Sequence, residues 1–433
     1  MMAQTQFASR SSLDRKLRIG VIGGGVAGIV SAHLLQKKHD VTLLEANDYL
    51  GGHTHTIVIE EGPDAGTPVD TGFIVMNDRT YPLFSTFLDR LGVPIRPAVM
   101  SFSYHDRLSG LAYSGSGLNG LFAQRRNLVR PSFLRMVRGI FSFWGDAKRD
   151  LAAGSVPSGT LGEYLRGRYP RETIENYILP MAAAIWSTPA SEVDKFPCES
   201  FLRFFSNHGL LGIRNRPQWM TVVGGSHSYV KAFRDSFSGR VLLKSPVQEV
   251  SRHPSGVTVR MAGGYEHFFE HVVIAVHADD ALRILEDPTE EEVRLLGPWR
   301  YQVNDTVLHT DTSVLPREPR AWSCWNYCRE DGEGGLRPVS VSYNMNLLQG
   351  LKTVRHNCVS LNRHTPVGED TVIARMVYRH PSYTFASLKT QKELHRLNGV
   401  RNSWFCGSYF GYGFHEDAVR SAVEVGREFG VGL

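Results

Sequence analysis

Between Leu17 and Glu45 the chain reads LRIGVIGGGVAGIVSAHLLQKKHDVTLLE, an order of residues that few folds accommodate. An apolar run, Leu17–Ile22, meets Gly23-Gly24-Gly25-Val26-Ala27-Gly28, and apolar residues then recur at helical spacing through Ile29, Ala32 and Leu35. Gly23 suits a tight turn, Gly25 lets backbone approach a pyrophosphate, and Gly28 permits close contact between helix and strand. A second apolar run, Val41–Leu44, ends in Glu45, about twenty residues on, where a carboxylate accepts both hydroxyls of a ribose. The same carboxylate repels a ribose 2′-phosphate, and no Arg follows it closely, which disfavours a phosphorylated dinucleotide. The pattern predicts a βαβ unit gripping an ADP moiety with Gly23, Gly25, Val26, Ala27, Gly28, Glu45 and Ala46.

Six residues past Glu45 comes Gly51-Gly52, which a plain dinucleotide site does not need. This E-x5-G-G spacing, followed by PVDTGFIVMNDRTYP (Pro68–Pro82), resembles the flavin-dependent amine-oxidase superfamily, which includes protoporphyrinogen oxidases and phytoene desaturases. The resemblance runs from about Leu17 to Leu433. The blocks GFIVMNDRTYP, GLNGLFAQRRNL, AAAIWSTP, RPQWMTVVGGS and GYGFHEDAVRS are most similar to bacterial flavoproteins encoded beside cyclopropane-fatty-acid synthases. It implies an α/β fold: a Rossmann-like FAD-binding domain of the glutathione-reductase/amine-oxidase type with an inserted α+β substrate domain. It also implies FAD in extended form, with Gly51, Gly52, His53 and Thr54 beside the diphosphate and ribityl arm. Thr71, Gly72 and Phe73 would approach the isoalloxazine ring, and the backbone of Val247 would contact adenine. The superfamily usually places Arg after the glycine pair; His53 stands there instead, which leaves that phosphate contact open. His53 and His55 lack further ligands, so no metal site is expected.

The resemblance implies a discontinuous layout. Residues 1–16 read as a flexible tail; 17–80, 218–290 and 395–433 as the FAD-binding domain; 81–217 and 291–394 as the substrate domain. Helices are predicted near Leu83–Leu91, Ser132–Trp144 and Leu161–Arg168. TVVGGSHSYVKAF reads strand, glycine pair, helix, and 299–379 reads as strand-rich, including HTDTSVLP and RPVSVSYNMN. The chain closes on WFCGSYFGYGFHEDAVRSAVEVG, crowded with glycines and aromatics before a helix. By resemblance this is the second FAD clamp. Gly407 ends the last strand near the diphosphate, and the helix beginning near Glu416 and Asp417 aims its N-terminus at the flavin, where it stabilises negative charge on reduction. Tyr409, Phe410, Tyr412 and Phe414 would wall the ring.

The 433 residues, 42% hydrophobic and 21% charged, fit a globular enzyme of roughly two to three domains. No apolar run approaches the ~18 residues a membrane span needs. No signal-peptide core opens the chain, and five scattered cysteines imply no disulfide framework, so a cytoplasmic location is expected. The +5 charge gives no argument for nucleic acid. Arg125–Trp144 is a basic amphipathic stretch with Phe133, Leu134, Val137, Ile140, Phe141 and Trp144 as its apolar stripe, which reads as peripheral contact with an anionic inner-membrane surface. A second G-x-G-x-x-G is absent, so reduced flavin is expected to pass electrons to oxygen or another acceptor. His415 is the acid–base candidate, with Tyr412 and Asn77 beside the site; Tyr81, Trp325 and Asn326 are further substrate-facing candidates. The leading expectation is oxidation or desaturation of a lipid-like substrate, an unsaturated, methylated or cyclopropane acyl chain. Amine oxidation, redox-neutral double-bond isomerisation and a non-catalytic flavoprotein partner for a lipid methyltransferase of the cyclopropane-synthase type stay open.

Overall fold

The computed structural model describes residues 15–186, 188, 190–330 and 340–433, so most of the expected N-terminal tail lies outside the described residues. Five parallel strands form the central sheet, in the order Arg240–Leu242, Asp40–Leu44, Arg18–Ile22, His271–Ile274, Ser403–Phe405. Strands covered on both faces must be apolar throughout, and the runs GVI, VTLL and HVVI are buried accordingly. Helices Val26–Leu35 and His415–Glu428 pack together on this unit through Ile29, Val30, Leu34, Val419 and Val423. The antiparallel strands Val247–His253, Gly256–Met261 and Glu266–Phe269 form a separate layer. The Phe269 ring lies so close to Gly20 that a Cβ there would meet it at 2.6 Å.

A seven-stranded mixed sheet forms the second half, in the order Val372–Ser382, Arg300–His309, Cys358–Leu361, Ser340–Asn344, Trp325–Arg329, Phe102–Asp106, Ala112–Ser114. Every strand of the parallel sheet comes from 17–80, 218–290 or 395–433, and every strand of the mixed sheet from 81–217 or 291–394. Trp219–Val222 joins neither: it pairs with Met76–Asn77 and Ile95–Pro97, where the chain crosses back. Helices Pro131–Ala152 and Cys198–Asn207 pack against each other in one large core with Phe133, Met136, Phe143, Phe201 and Phe205. Among the described residues no helix is long and apolar enough to cross a membrane.

Three expectations need correction. The helix predicted over Leu161–Arg168 stops at Leu165, because Gly167 turns to φ +74° and Pro170 follows. HTDTSVLP is not a strand: Arg300–His309 ends there, and the Asp311 carboxylate accepts the Ser313 N–H at 2.8 Å, capping a short turn. On helix Pro131–Ala152 the buried stripe is Phe133, Met136, Ile140, Phe143 and Ala147, while Leu134 and Phe141 point outward.

Gly28 gives the packing a sharp test. A Cβ there would sit 1.8 Å from the Gly23 carbonyl oxygen. Alanine ordinarily gains about 0.5–1 kcal/mol over glycine inside a helix, yet Gly28→Ala should cost about 1–3 kcal/mol by overpacking. Chemical denaturation measures the sign, and a stabilised variant contradicts this geometry.

Candidate functional site

The site begins where two glycine loops cross at the carboxyl ends of the parallel strands. Gly23 sits at φ +103° and donates its N–H to Leu44 O at 2.8 Å. Gly25 is extended, and a Cβ built on it meets nothing within 4 Å. The ten-residue helix that follows, containing Val26, Ala27 and Gly28, has no side-chain cap at its N-terminus. Uncapped N–H groups and the positive dipole end favour an anion there. Gly51 donates its N–H to Gly24 O at 2.8 Å, and a Cβ on Gly52 would lie 3.2 Å from Gly25 Cα. A side chain at Gly51, which has φ +126°, would strike Thr54 O at 2.2 Å. Gly51 is therefore required by a carbonyl of its own loop, and Gly52 by near contact with the backbone of the first loop.

Glu45 is buried at the end of its strand; its Oε2 accepts the Gly24 N–H at 2.6 Å and its Oε1 the Asn47 N–H at 2.8 Å. Ala46 is exposed beside it. Glu45 and Asn47 exchange backbone bonds with Leu242, Lys244 and Ser245. Val247 starts the next strand, half-buried, at a register shift before Glu249.

The returning chain is tied to a second segment. Thr71 and Phe73 donate their N–H groups to His55 O and His53 O at 2.9 and 2.7 Å, and a Cβ on Gly72 would strike His53 O at 2.2 Å. The Thr54 hydroxyl lies 2.5 Å from Tyr229 OH and 3.0 Å from His415 Nε2. The His415 ring stacks on Phe73 at 3.7 Å. The imidazoles of His277 and His380 and the Tyr378 ring surround His53 at 5.9, 5.3 and 5.2 Å, and its Nε2 is buried without a hydrogen-bond partner.

The C-terminal clamp closes the other side. Gly407 donates its N–H to Ser421 Oγ at 2.9 Å. Tyr412 and Phe414 are half-buried, their rings 5.8 and 5.1 Å from Phe204. Tyr409 turns inward onto Trp299 and belongs to the core rather than to a wall.

The polar candidates are less free than their sequence positions suggest. Glu416 accepts the backbone N–H groups of Leu83 and Phe84 at 3.1 and 2.9 Å, capping another helix. Asp417 accepts from Tyr412 and Phe414 N–H and faces Arg420. Buried Asn77 spends its amide on Arg79 and Thr80 in its own turn. Asn326 makes four bonds to Ser103, Ser323 and Ser342, inside the mixed sheet. Tyr81 is buried, and Trp325 packs edge-on to Tyr343. Burial lowers His415 to about 3, so its imidazole is neutral at physiological pH rather than titrating there.

Sequence reasoning missed Asp70, Tyr229, Tyr378, His277 and His380. Fully buried Asp70 accepts from Ser226 N–H and Oγ and from Thr56, pinning the returning chain to the cofactor loops. Its signal was an acid inside the apolar block PVDTG, opposite a GGS turn. His277, which precedes the helix Ala278–Ile284, and His380, on strand Val372–Ser382, come from distant segments and had none. His277, Asp279 and Asp280 bring ligand-type atoms together, but Arg379 pairs with both carboxylates.

Four of these imidazoles make stability depend on pH. Burial, first, holds His53 at about 4 and His277, His380 and His415 at about 3; neighbouring imidazoles add to the shift in the last three. Their unfolded value is 6.5. A base depressed in the folded state stabilises fully above the unfolded value, and that contribution is lost as pH falls from 6.5 toward 4. Asp70, raised by burial to about 6, acts oppositely, as do Glu416 and Asp417, which burial also raises, so the four imidazoles are opposed by three carboxyls. The melting temperature should fall between pH 7.5 and pH 5, and less so in a His277→Gln, His380→Gln variant. A flat or rising profile contradicts the neutral cluster.

Comparison with known proteins fits this architecture. AofH, the flavin-containing monoamine oxidase candidate of Mycobacterium tuberculosis, is 28% identical over 278 residues. That alignment covers 62% of this chain and 58% of AofH, so the chain spans little more than half of that curated relative. Wild-type putrescine oxidase, solved with putrescine, superposes with a TM-score of 0.68 at 15% identity, covering 95% of this chain and 98% of its own. A CLA-producing fatty acid isomerase from P. acnes superposes with a TM-score of 0.66 at 14% identity, covering 97% and 99%. Likeness at such identity establishes the fold. The open backbone at Gly25, the uncapped helix end, the buried Glu45 carboxylate and the unpartnered His53 nitrogen fit the diphosphate and ribose of FAD. Residues 26–343 match the family of flavin containing amine oxidoreductases, and the chain belongs to that family, with FAD as its cofactor.

Proposed function

We propose that the protein is an FAD-dependent oxidoreductase that oxidises or desaturates a lipid-like substrate, an unsaturated, methylated or cyclopropane acyl chain. The observation that carries the reading is the lining beside the C-terminal clamp. The half-buried Tyr412 and Phe414 make an aromatic face, backed by the buried rings of Phe204 and His208. The carboxylates nearest in sequence, Glu416 and Asp417, are turned onto backbone N–H groups and Arg420. An acyl chain finds apolar surface there, and a cationic amine finds those carboxylates already engaged. Bound FAD supplies the two-electron acceptor, while the protein supplies alignment and exclusion of water. Gly224-Gly225-Ser226-His227 lacks the third glycine of a dinucleotide loop, which supports oxygen or another acceptor for the electrons, not a nicotinamide partner. The same fold carries both the fatty acid isomerase and putrescine oxidase, so it admits an acyl ligand without selecting it over an amine.

Amine oxidation is the second reading, favoured by the similarity to AofH. Anaerobic titration separates the two: unsaturated and cyclopropane fatty acids should bleach the flavin, whereas amines and NADPH should not. Bleaching by amines alone overturns the lipid reading, rapid bleaching by NADPH points to a reductase, and double-bond migration without net bleaching points to an isomerase.

Cofactor retention tests the proposed role of Glu45. Glu45→Ala removes a charge-assisted partner of the ribose worth about 1.5–3 kcal/mol, roughly tenfold or more in FAD affinity. Glu45→Gln keeps an acceptor and should lose less. A folded Glu45→Ala protein that keeps wild-type FAD affinity contradicts the role.

A further inference from the structure

Five large apolar side chains project from one continuous stretch: Leu118, Leu128, Val129, Leu134 and Phe141, between 44% and 80% exposed. They sit on helix Leu118–Leu121, the turn Arg125–Leu128 with Val129 after it, and the long helix Pro131–Ala152. The Arg125 guanidinium ties the first two by donating to Asn119 and Phe122, and the Phe122 and Phe133 rings, 5.9 Å apart, tie the first to the third. Leu134, Arg138 and Phe141 fall at i, i+4 and i+7, one line on the outer face of the long helix.

The charge on this surface has one sign. Between Asp106 and Asp146 the chain carries six arginines and no acid. Arg135 is answered by Glu172 from outside the stretch. Arg125, Arg126, Arg130 and Arg138 have no carboxylate partner among the described residues, and Arg125 and Arg126 reach only neutral acceptors. Exposed apolar side chains among arginines without carboxylate partners suit the headgroup–acyl boundary of an anionic bilayer. An acidic protein partner would suit the arginines and leave Leu118, Leu128, Val129 and Phe141 without purpose.

We propose that this face seats the protein on an anionic membrane, with Leu128, Val129, Leu134 and Phe141 at the acyl boundary and Arg125, Arg126, Arg130 and Arg138 on lipid phosphates. The apolar set differs from the stripe read from sequence: Phe133 and Ile140 are core residues, and Arg135 is committed to Glu172. The seat lies one layer from the aromatic face. The Phe141 ring is 5.2 Å from Trp144, whose Nε1–H donates to Tyr177 OH at 3.2 Å. Helix Cys198–Asn207, packed on the long helix, carries Phe204 to Tyr412 and Phe414. Delivery of an acyl substrate along this route rests on the lipid-like reading of the site; membrane seating does not.

The test is co-sedimentation of the FAD-loaded full chain with phosphatidylglycerol–phosphatidylcholine vesicles and with phosphatidylcholine alone, at low and high salt. Wild type should pellet with the anionic vesicles and weaken as salt rises. Arg130→Glu, Arg138→Glu should reduce that binding about tenfold or more. Leu134→Ser, Phe141→Ser should reduce it at both salt levels, and flavin content and circular dichroism should match wild type in both variants. Absence of wild-type pelleting, equal pelleting with neutral vesicles, or wild-type pelleting of both variants overturns the proposal. Vesicle binding by a protein whose flavin no lipid reduces supports the seat while removing the lipid substrate.

Discussion

The structure depends on one crossing of backbones. The loop that ends the first parallel strand and the loop that follows the second meet through Gly51 N–H and Gly24 O, with Gly52 almost touching Gly25. A side chain on Gly52 would press on Gly25 Cα and one on Gly51 would strike Thr54 O, so the second loop needs its glycine pair, while Gly25 itself stays open on one face. The helix N-terminus, the Glu45 carboxylate and the His53–Thr54 segment all take their places from that crossing. Thr54 in turn reaches Tyr229 and His415, which brings the middle and the end of the chain onto the same centre.

Around that centre the protein keeps ionisable groups uncharged or already paired. His53, His277, His380 and His415 are held neutral by burial. Arg379 pairs with Asp279 and Asp280, and Glu416 caps a neighbouring helix. A dianionic diphosphate entering such surroundings meets N–H donors and a helix dipole rather than competing carboxylates. His53 stands where the superfamily usually has Arg; burial holds it neutral, so it brings no fixed charge to the diphosphate.

Local chemistry was legible in the sequence and tertiary partnership was not. Gly23, Gly25, Gly28 and Glu45 could be read because turn, close approach and carboxylate lie within one βαβ unit. That the five parallel strands come from three separated stretches of chain is a matter of topology that no local pattern displays; the family resemblance alone suggested it. Glu416 and Asp417 looked available because they open a helix after aromatic residues; Leu83 and Phe84, which claim Glu416, lie more than 300 residues away. His415 looked titratable because nothing nearby in sequence shows that it will be stacked on Phe73. The stripe read on the long helix mixed two faces: Phe133 and Ile140 are buried together with Met136 and Phe143, which it left out, whereas Leu134 and Phe141 point outward.

The central claim is that the crossed glycine loops, with Glu45 and the C-terminal clamp, hold FAD. The most direct measurement is mass spectrometry of the cofactor released when the purified protein is denatured, with its stoichiometry from absorbance. FAD should be released at close to one per chain. FMN, or a nicotinamide dinucleotide with no flavin, would contradict it.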